Sequence, residues 1–145
     1  TIIFFGIMGK QIEFTWPVRV YYEDTDAGGV VYYANYLKFL ERARTECLRE
    51  LGFEQDQLKQ EYGIIFAVHG LSIQYQKPAV FNDALTVTAE IVDAGKARLT
   101  FKQMITRDKD NTRICSAEVV IACLNAEKFS PTRIPAQIQE VLHGS

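Results

Sequence analysis

Residues 30–51 limit the possible folds of this chain more than any other stretch. Apolar side chains recur there at steps of three and four residues, which is the spacing of one helix face; they are Tyr33, Tyr36, Leu37, Leu40, Ala43, Cys47, Leu48 and Leu51. Gly52 follows as a helix stop signal. The first half, VVYYANYLKFL, is apolar on nearly every side, which is typical of a buried helix. The second half, ERARTECLRE, has a charged face that we expect to reach solvent.

The segments around this helix predict an antiparallel sheet that can surround it. Period-two alternation and turn signals predict strands at residues 13–22, 67–76, 85–92, 97–106 and 114–124, with short helices at residues 55–61 and after Pro135. Pro17 indicates an edge position or a bulge in the first strand. Because the later strands follow one another without crossover helices, the fold class is α+β rather than α/β. We predict one domain over residues 1–145, with a curved antiparallel sheet wrapped around one long buried helix and residues 1–12 as an N-terminal extension.

Composition excludes several classes of function. Sixteen Lys and Arg against 18 Asp and Glu give a formal charge of −2, so no strongly basic field is available to hold nucleic acid. The only two histidines, His69 and His143, argue against a multi-histidine metal site. The three cysteines (Cys47, Cys115 and Cys123) are odd in number and lie in apolar runs, which favours packing thiols in a reducing cytoplasm. The apolar residues 1–8 are much shorter than the roughly 20 residues that span a bilayer.

The loop before the long helix has the strongest chemical pattern in the chain. Residues 21–36, YYEDTDAGGVVYYANY, place two acids and two glycines directly before the helix. A helix start presents unpaired N–H groups and a partial positive charge, and Gly28 and Gly29 allow a ligand to approach the backbone. An N–H near Tyr32 or Tyr33 is therefore suited to polarise a carbonyl oxygen. A carboxylate beside it is suited to attack that carbonyl or to activate water.

The same loop also has a purely structural interpretation. Asp and Thr before a helix are common N-caps, so the pattern alone does not separate a catalytic loop from a cap and turn. Other ligands fit less well, because a calcium loop needs a longer run of ligands ending in Glu. The double glycine lacks the spacing of a phosphate loop or of a dinucleotide fingerprint. A serine nucleophile is not favoured either, since the chain has no G-x-S-x-G elbow.

Three features together resemble the hotdog-fold acyl-CoA thioesterases of the 4-hydroxybenzoyl-CoA thioesterase family. They are residues 16–46 (WPVRVYYEDTDAGGVVYYANYLKFLERARTE), residues 73–87 (IQYQKPAVFNDALTV) and the order of the strands. The resemblance covers residues 15–142 and is strongest to the bacterial branch associated with the Tol–Pal envelope system. It implies a hotdog fold in which five or six strands wrap the long helix. It also implies homodimers or homotetramers with active sites between subunits.

The resemblance assigns roles to individual residues. The family's catalytic acid is the second Asp of a D-x-D-x-x-G loop, which is Asp26 here, acting as nucleophile or general base. The backbone N–H of Tyr33 would polarise the thioester carbonyl, and Tyr22 matches a tyrosine counted in the site of this branch. Close members often carry His at the position of Tyr33; the exchange leaves a backbone donor in place but removes an imidazole. Asp24 is expected to be a structural loop acid.

The predicted function is therefore hydrolysis of an acyl-CoA thioester to a free acid and CoA, without a metal or organic cofactor. The candidate substrate-binding residues are Gly28, Gly29, Val30, Tyr32, Tyr36 and His69. The tyrosines have a competing interpretation as core-packing residues. His69 has a competing interpretation as a structural residue of its strand. The expected partners are acyl-CoA and, as another acyl donor, acyl carrier protein.

Two other functions stay open at this point. A hotdog dehydratase acting on hydroxyacyl thioesters would need a His paired with an acid near the site, and the loop has none. A non-catalytic adaptor for acyl carrier protein or for the envelope system is the second alternative.

Overall fold

Six strands and three α-helices form the part of the chain that a computed structural model describes, which is residues 2–5 and 11–143. In chain order the elements are β1 (Ile2–Phe5), β2 (Gln11–Arg19), a 3-10 turn (Tyr22–Asp24), α1 (Tyr33–Glu50), α2 (Gln55–Tyr62), β3 (Ile64–Tyr75), β4 (Ala84–Ala94), β5 (Arg98–Arg107), β6 (Thr112–Asn125) and α3 (Ala136–Leu142). Each helix and strand expected from the sequence is present, and the α+β class is confirmed.

The strands form one antiparallel sheet in the order β1–β2–β4–β5–β6–β3. β1 pairs only with the first part of β2, as far as Phe14, so Pro17 lies where β2 has a described neighbour on one side alone. This is the edge position that the sequence offered as one alternative, and proline is tolerated there because its missing N–H has no partner to lose. The extension expected at residues 1–12 thus contributes a strand, although its residues 1 and 6–10 lie outside the described residues.

α1 packs on β2, β4 and β5 and supplies the centre of the core. The buried side chains of this contact include Tyr36, Phe39, Leu40, Ala43 and Cys47 on the helix, and Leu85, Val87, Ala89, Leu99, Phe101 and Ile105 on the sheet. Each large apolar side chain buried here stabilises the fold by about 1.5–3 kcal/mol. The long buried helix is therefore confirmed. No helix in residues 2–5 and 11–143 is long and apolar enough to cross a membrane.

One charged residue departs from the expected solvent-facing side of α1. Arg44 is buried, and its Nη1 donates a hydrogen bond to Oε1 of Gln103 at 2.9 Å. Gln103 in turn donates to the carbonyl oxygens of Leu40 and Thr88, so this polar side chain on the core face of β5 is satisfied. Burial lowers the pKa of Arg44 from its ordinary value. The helical pattern did not predict this burial, because the partner comes from a strand 59 residues away.

Two predicted boundaries next to the loop were wrong. The first strand ends at Arg19, not at residue 22, because the chain turns into the 3-10 turn. α1 begins at Tyr33, not at residue 30. Val30 and Val31 form isolated antiparallel bridges instead, with Val80 and with Thr25 respectively. Tyr33 is therefore the first residue of the helix, which places its N–H at the helix start.

Candidate active site

The loop between the 3-10 turn and α1, residues 25–32, is closed by its own backbone hydrogen bonds. The N–H of Asp26 donates to the carbonyl oxygen of Val30 at 2.9 Å, and the N–H of Gly29 donates to that of Asp26 at 3.0 Å. Thr25 and Val31 form the bridge that closes the loop base. The position of Asp26 relative to the start of α1 is therefore fixed by bonds within a few residues.

The carboxylate of Asp26 has one oxygen held by the loop and one available. Oδ1 accepts a hydrogen bond from the N–H of Gly28 at 2.8 Å. Oδ2 accepts none from the described part of the chain, and the side chain is exposed. Both glycines have a structural reason: a Cβ at Gly28 would lie 3.3 Å from Oδ1, and Gly29 has a φ of +83°. The loop thus holds one oxygen of the carboxylate and leaves the other without a hydrogen bond from the described residues.

The start of α1 offers a backbone donor. Tyr32 has extended angles (φ −61°, ψ 129°) and Tyr33 is the first helical residue. The N–H of such a residue has no helical carbonyl before it, and none of residues 2–5 and 11–143 accepts a hydrogen bond from it. No acidic side chain lies in the first turn, so the partial positive charge of the helix start is left for a ligand.

Asp24 and Asn35 connect this loop to the helix. Oδ2 of Asp24 accepts from the N–H of Tyr21 at 2.8 Å. Its carbonyl oxygen accepts from the N–H of Tyr32 and from Nδ2 of Asn35, both at 2.9 Å. These bonds are those of a structural residue, as expected from the sequence. No sequence pattern indicated a role for Asn35, whose side chain in the first helical turn donates to a residue 11 positions earlier, Asp24.

A cavity of about 250 Å³ opens beside the helix start. Its lining includes Val31, Tyr33, Tyr36, Tyr75 and Pro78. Tyr36 and Tyr75 lie 5.6 Å apart between ring centroids, and Tyr75 meets Tyr33 edge-on at 6.4 Å. Burial raises the pKa of Tyr36 and of Tyr75, so both are neutral phenols at pH 7. This cavity, the tyrosine pocket, places Tyr36 next to Tyr33 and adds Tyr75, which the sequence did not single out; a role of Tyr36 in substrate binding stays a prediction.

Comparison with known proteins matches the chain along most of its length. The family model of the thioesterase-like superfamily matches residues 20–142. This chain belongs to that superfamily. A curated member, the acyl-CoA thioesterase YbgC of Haemophilus influenzae, is 45% identical over 131 residues, which cover 90% of this chain and 94% of that protein. The family expected from the sequence is therefore confirmed.

Solved structures confirm the hotdog fold of this thioesterase-like protein. A probable thioesterase from Bartonella henselae is 36% identical with a TM-score of 0.80, and the match covers 85% of this chain and 99% of that one. A mutant of 4-hydroxybenzoyl-CoA thioesterase, complexed with 4-hydroxybenzoyl-CoA, has a TM-score of 0.83 at 19% identity, covering 90% of this chain and 98% of that one. At that identity the likeness is one of fold.

Three predicted site residues of this thioesterase-like chain, Tyr22, Tyr32 and His69, do not line the tyrosine pocket. Tyr22 is 75% exposed and stacks on Phe81, with ring centroids 3.8 Å apart and planes 9° apart, away from the tyrosine pocket. Tyr32 is exposed against Tyr33, whose hydroxyl raises the pKa of Tyr32. His69 sits at a bulge of β3, about 20 Å along the strand from Tyr75 at roughly 3.3 Å per residue. The roles assigned to these residues stay predictions.

The cysteines of this protein are not candidate nucleophiles. All three are buried. Burial raises the pKa of the Cys47 and Cys115 thiols to about 12 and that of Cys123 to about 11. The thiolate is the reactive form, and it is scarce at these values. No group of three or more His, Cys, Asp or Glu suited to a metal ion occurs within the described residues.

Thiol titration checks this burial. At pH 8, a thiolate-specific disulfide reagent is expected to find almost no reactive thiol in the folded protein and three after unfolding in guanidinium chloride. Because folding raises these pKa values above the ordinary thiol value of about 8.5, the free energy of unfolding is expected to fall as the pH rises above 8.5. Rapid reaction of three thiols in the folded protein would contradict the burial.

Proposed function

We propose that this chain is an acyl-CoA thioesterase that hydrolyses an acyl-CoA thioester to a free acid and CoA. One observation carries the proposal: a single closed loop bears the free carboxylate oxygen of Asp26 at one end and leads into the unpaired N–H of Tyr33 at the other. Relatives that are 45% identical to the chain are named acyl-CoA thioesterase and acyl-CoA thioester hydrolase, which supports this substrate class.

The chemistry follows from these two groups. The N–H of Tyr33 donates a hydrogen bond to the thioester carbonyl oxygen, which gains negative charge as the carbonyl carbon is attacked. Asp26 acts in one of two ways. As a nucleophile it forms an anhydride with the acyl group and releases the CoA thiolate, and water then cleaves the anhydride. As a general base it takes a proton from the water that attacks the carbonyl, and the proton leaves with CoA.

The tyrosine pocket supports a place for the acyl group. It opens beside Tyr33, and the rings of Tyr33, Tyr36 and Tyr75 give it aromatic walls that suit an apolar group. Gln76 and Lys77 complete its lining with polar atoms. In this proposal Gly28, Gly29 and Val30 contribute backbone that lets the thioester approach. The dehydratase alternative has less support because the loop that bears Asp26 contains no histidine to pair with the acid.

A thiol-release assay tests the proposal. The purified protein is incubated with a panel of acyl-CoA and acyl-carrier-protein thioesters, and the free thiol is measured. Release of thiol from acyl-CoA is expected. Thiol release from carrier-protein thioesters alone would change the proposed substrate class. No hydrolysis of any thioester would favour the adaptor, and addition of water to an enoyl thioester without thiol release would favour the dehydratase.

We further propose that the chain forms a dimer, as the family resemblance implied, and that the two chains pair through β3. β3 is an edge strand of 12 residues. Val68, Leu71 and Tyr75 are exposed on it, although they lie opposite core residues of β6; those residues are Ile121, Val119 and Cys115. An exposed apolar edge is a surface that soluble proteins cover, and a second β3 would cover it.

Sedimentation analysis checks the pairing. The wild-type mass is expected to be that of two or four chains, and Leu71→Asp is expected to shift it towards one chain because a charge would enter the apolar contact. A wild-type protein that sediments as a single chain at high concentration would contradict the pairing.

We also propose that the protein works in a reducing cytoplasm, which agrees with its three free thiols. A role beside the Tol–Pal system is proposed from the family resemblance alone.

A further inference from the structure

A second loop, residues 77–83, lies against the start of α1. The carbonyl oxygen of Ala79 accepts a hydrogen bond from the N–H of Val31 at 2.9 Å. The N–H of Ala79 donates to the hydroxyl of Tyr36 at 3.0 Å. Ala79 thus holds Val31, two positions before Tyr33, and also holds the buried ring of Tyr36 in the first helical turn.

The same loop also reaches Asp26. Val80 forms an antiparallel bridge with Val30, and the carbonyl oxygen of Val30 accepts the N–H of Asp26 at 2.9 Å. The positions of the proposed catalytic carboxylate and of the proposed backbone donor therefore both depend on neighbouring residues of one loop. A shift of the 77–83 loop would move both groups.

A shielded ion pair holds this loop in place. Oδ2 of Asp83 accepts from the N–H of Val80 at 3.0 Å and from Nη1 of Arg107 at 3.1 Å. The same Nη1 lies 3.4 Å from the carbonyl oxygen of Pro78. The side chain of Asp83 is 11% exposed and that of Arg107 is 17% exposed, so water screens this pair less than an exposed one. Arg107, the last residue of β5, thus contacts both ends of the loop, at Pro78 and at Asp83.

We infer that Asp83 and Arg107 are positioning residues for the hydrolysis, acting through the 77–83 loop on Asp26 and on the N–H of Tyr33. The inference rests on the proposed function. Neither side chain lines the tyrosine pocket; both act through the backbone they hold. Misplacement of reacting groups by about 1 Å can cost about 100-fold in rate, so loosening this loop is expected to lower kcat more than it changes KM.

Asp83→Asn and Asp110→Asn form a matched pair of variants. Asn at position 83 still has an oxygen to accept the N–H of Val80, but the charge opposite Arg107 is lost. Asp110 is the other carboxylate of Arg107, 3.2 Å from Nε and 43% exposed, and its hydrogen bonds go to Arg107 and Thr112 and not to the 77–83 loop. Asp83→Asn is expected to lower kcat about 10- to 100-fold with a smaller change of KM. Asp110→Asn is expected to keep the wild-type kcat.

Hydrogen–deuterium exchange gives a readout that does not depend on activity. In Asp83→Asn, peptides covering residues 26–36 are expected to exchange faster than in the wild type, because the N–H of Val31 is held by the loop. Peptides from the pairing of β5 with β6 are expected to keep their exchange rates. Wild-type exchange of residues 26–36 together with wild-type kcat in Asp83→Asn would overturn the inference.

Arg107 variants separate positioning from a general loss of folding. Arg107→Lys keeps a positive charge opposite Asp83 and is expected to retain more kcat than Arg107→Gln, which loses the charge. Equal kcat for wild type, Arg107→Lys and Arg107→Gln would overturn the inference while leaving thioester hydrolysis intact. A wild-type protein without any hydrolysis would instead overturn the proposed function, and the exchange data would still decide whether the ion pair holds the loop.

Discussion

Asp26→Asn is expected to lower kcat for acyl-CoA hydrolysis by about 100- to 10,000-fold. The amide can neither attack the thioester nor take a proton from water at neutral pH, so both mechanisms open for Asp26 are lost. The loop is expected to keep its shape, because the amide oxygen can still accept the N–H of Gly28 that Oδ1 accepts now. The measurement is kcat and KM from thiol release, with the free energy of unfolding from a denaturant titration.

Asp24→Asn is the matched control for this experiment. It makes the same substitution two residues earlier, and its side-chain oxygen can still accept the N–H of Tyr21. Its loss of kcat is expected to be far smaller than that of Asp26→Asn. Equal losses would mean that the loop, and not the carboxylate of Asp26, limits the rate. Full activity of Asp26→Asn would remove this residue from the mechanism and leave the family membership unchanged.

The sequence could predict the fold because helix and strand periodicities are local. The spacing of apolar residues in α1 and the alternation in β4 and β5 report burial on one face whatever the partner is. The start of α1 could not be predicted in this way. Val31 is apolar like the helical residues after it, but its N–H donates to Ala79, 48 residues later in the chain. A tertiary hydrogen bond therefore decides where the helix begins.

The residues of the candidate site also differ in whether their contacts are local or long-range in the sequence. The acids and glycines of the Asp26 loop formed a recognisable sequence pattern because their hydrogen bonds to one another span three residues or fewer. The choice of Asp26 over Asp24 came from the family resemblance. Asp83 and Arg107 were not, because a salt bridge between residues 24 positions apart leaves no periodic signal. A sequence pattern can therefore identify the chemical groups of a loop, whereas the residues that hold the loop become visible only in the structure.

The second large effect is expected from Tyr33→Pro, which removes the backbone donor. Proline has no N–H, and helices tolerate it at their first residue because that N–H has no helical acceptor. Tyr32 already has the extended angles that a residue before proline prefers. The helix is therefore expected to form with its first turn intact and to lack only the N–H that polarises the carbonyl.

Tyr33→Ala supplies the control, because it removes the same side chain and keeps the N–H. We expect kcat of Tyr33→Pro to be about 100- to 1,000-fold below that of Tyr33→Ala, the usual cost of losing one donor to a developing oxyanion. Circular dichroism and the melting temperature establish that both variants fold. Equal and measurable activities of the two variants would show that another group polarises the carbonyl. If both variants lost hydrolysis completely, the phenol rather than the backbone N–H would be the essential part of Tyr33, and the helix start would serve only to position it.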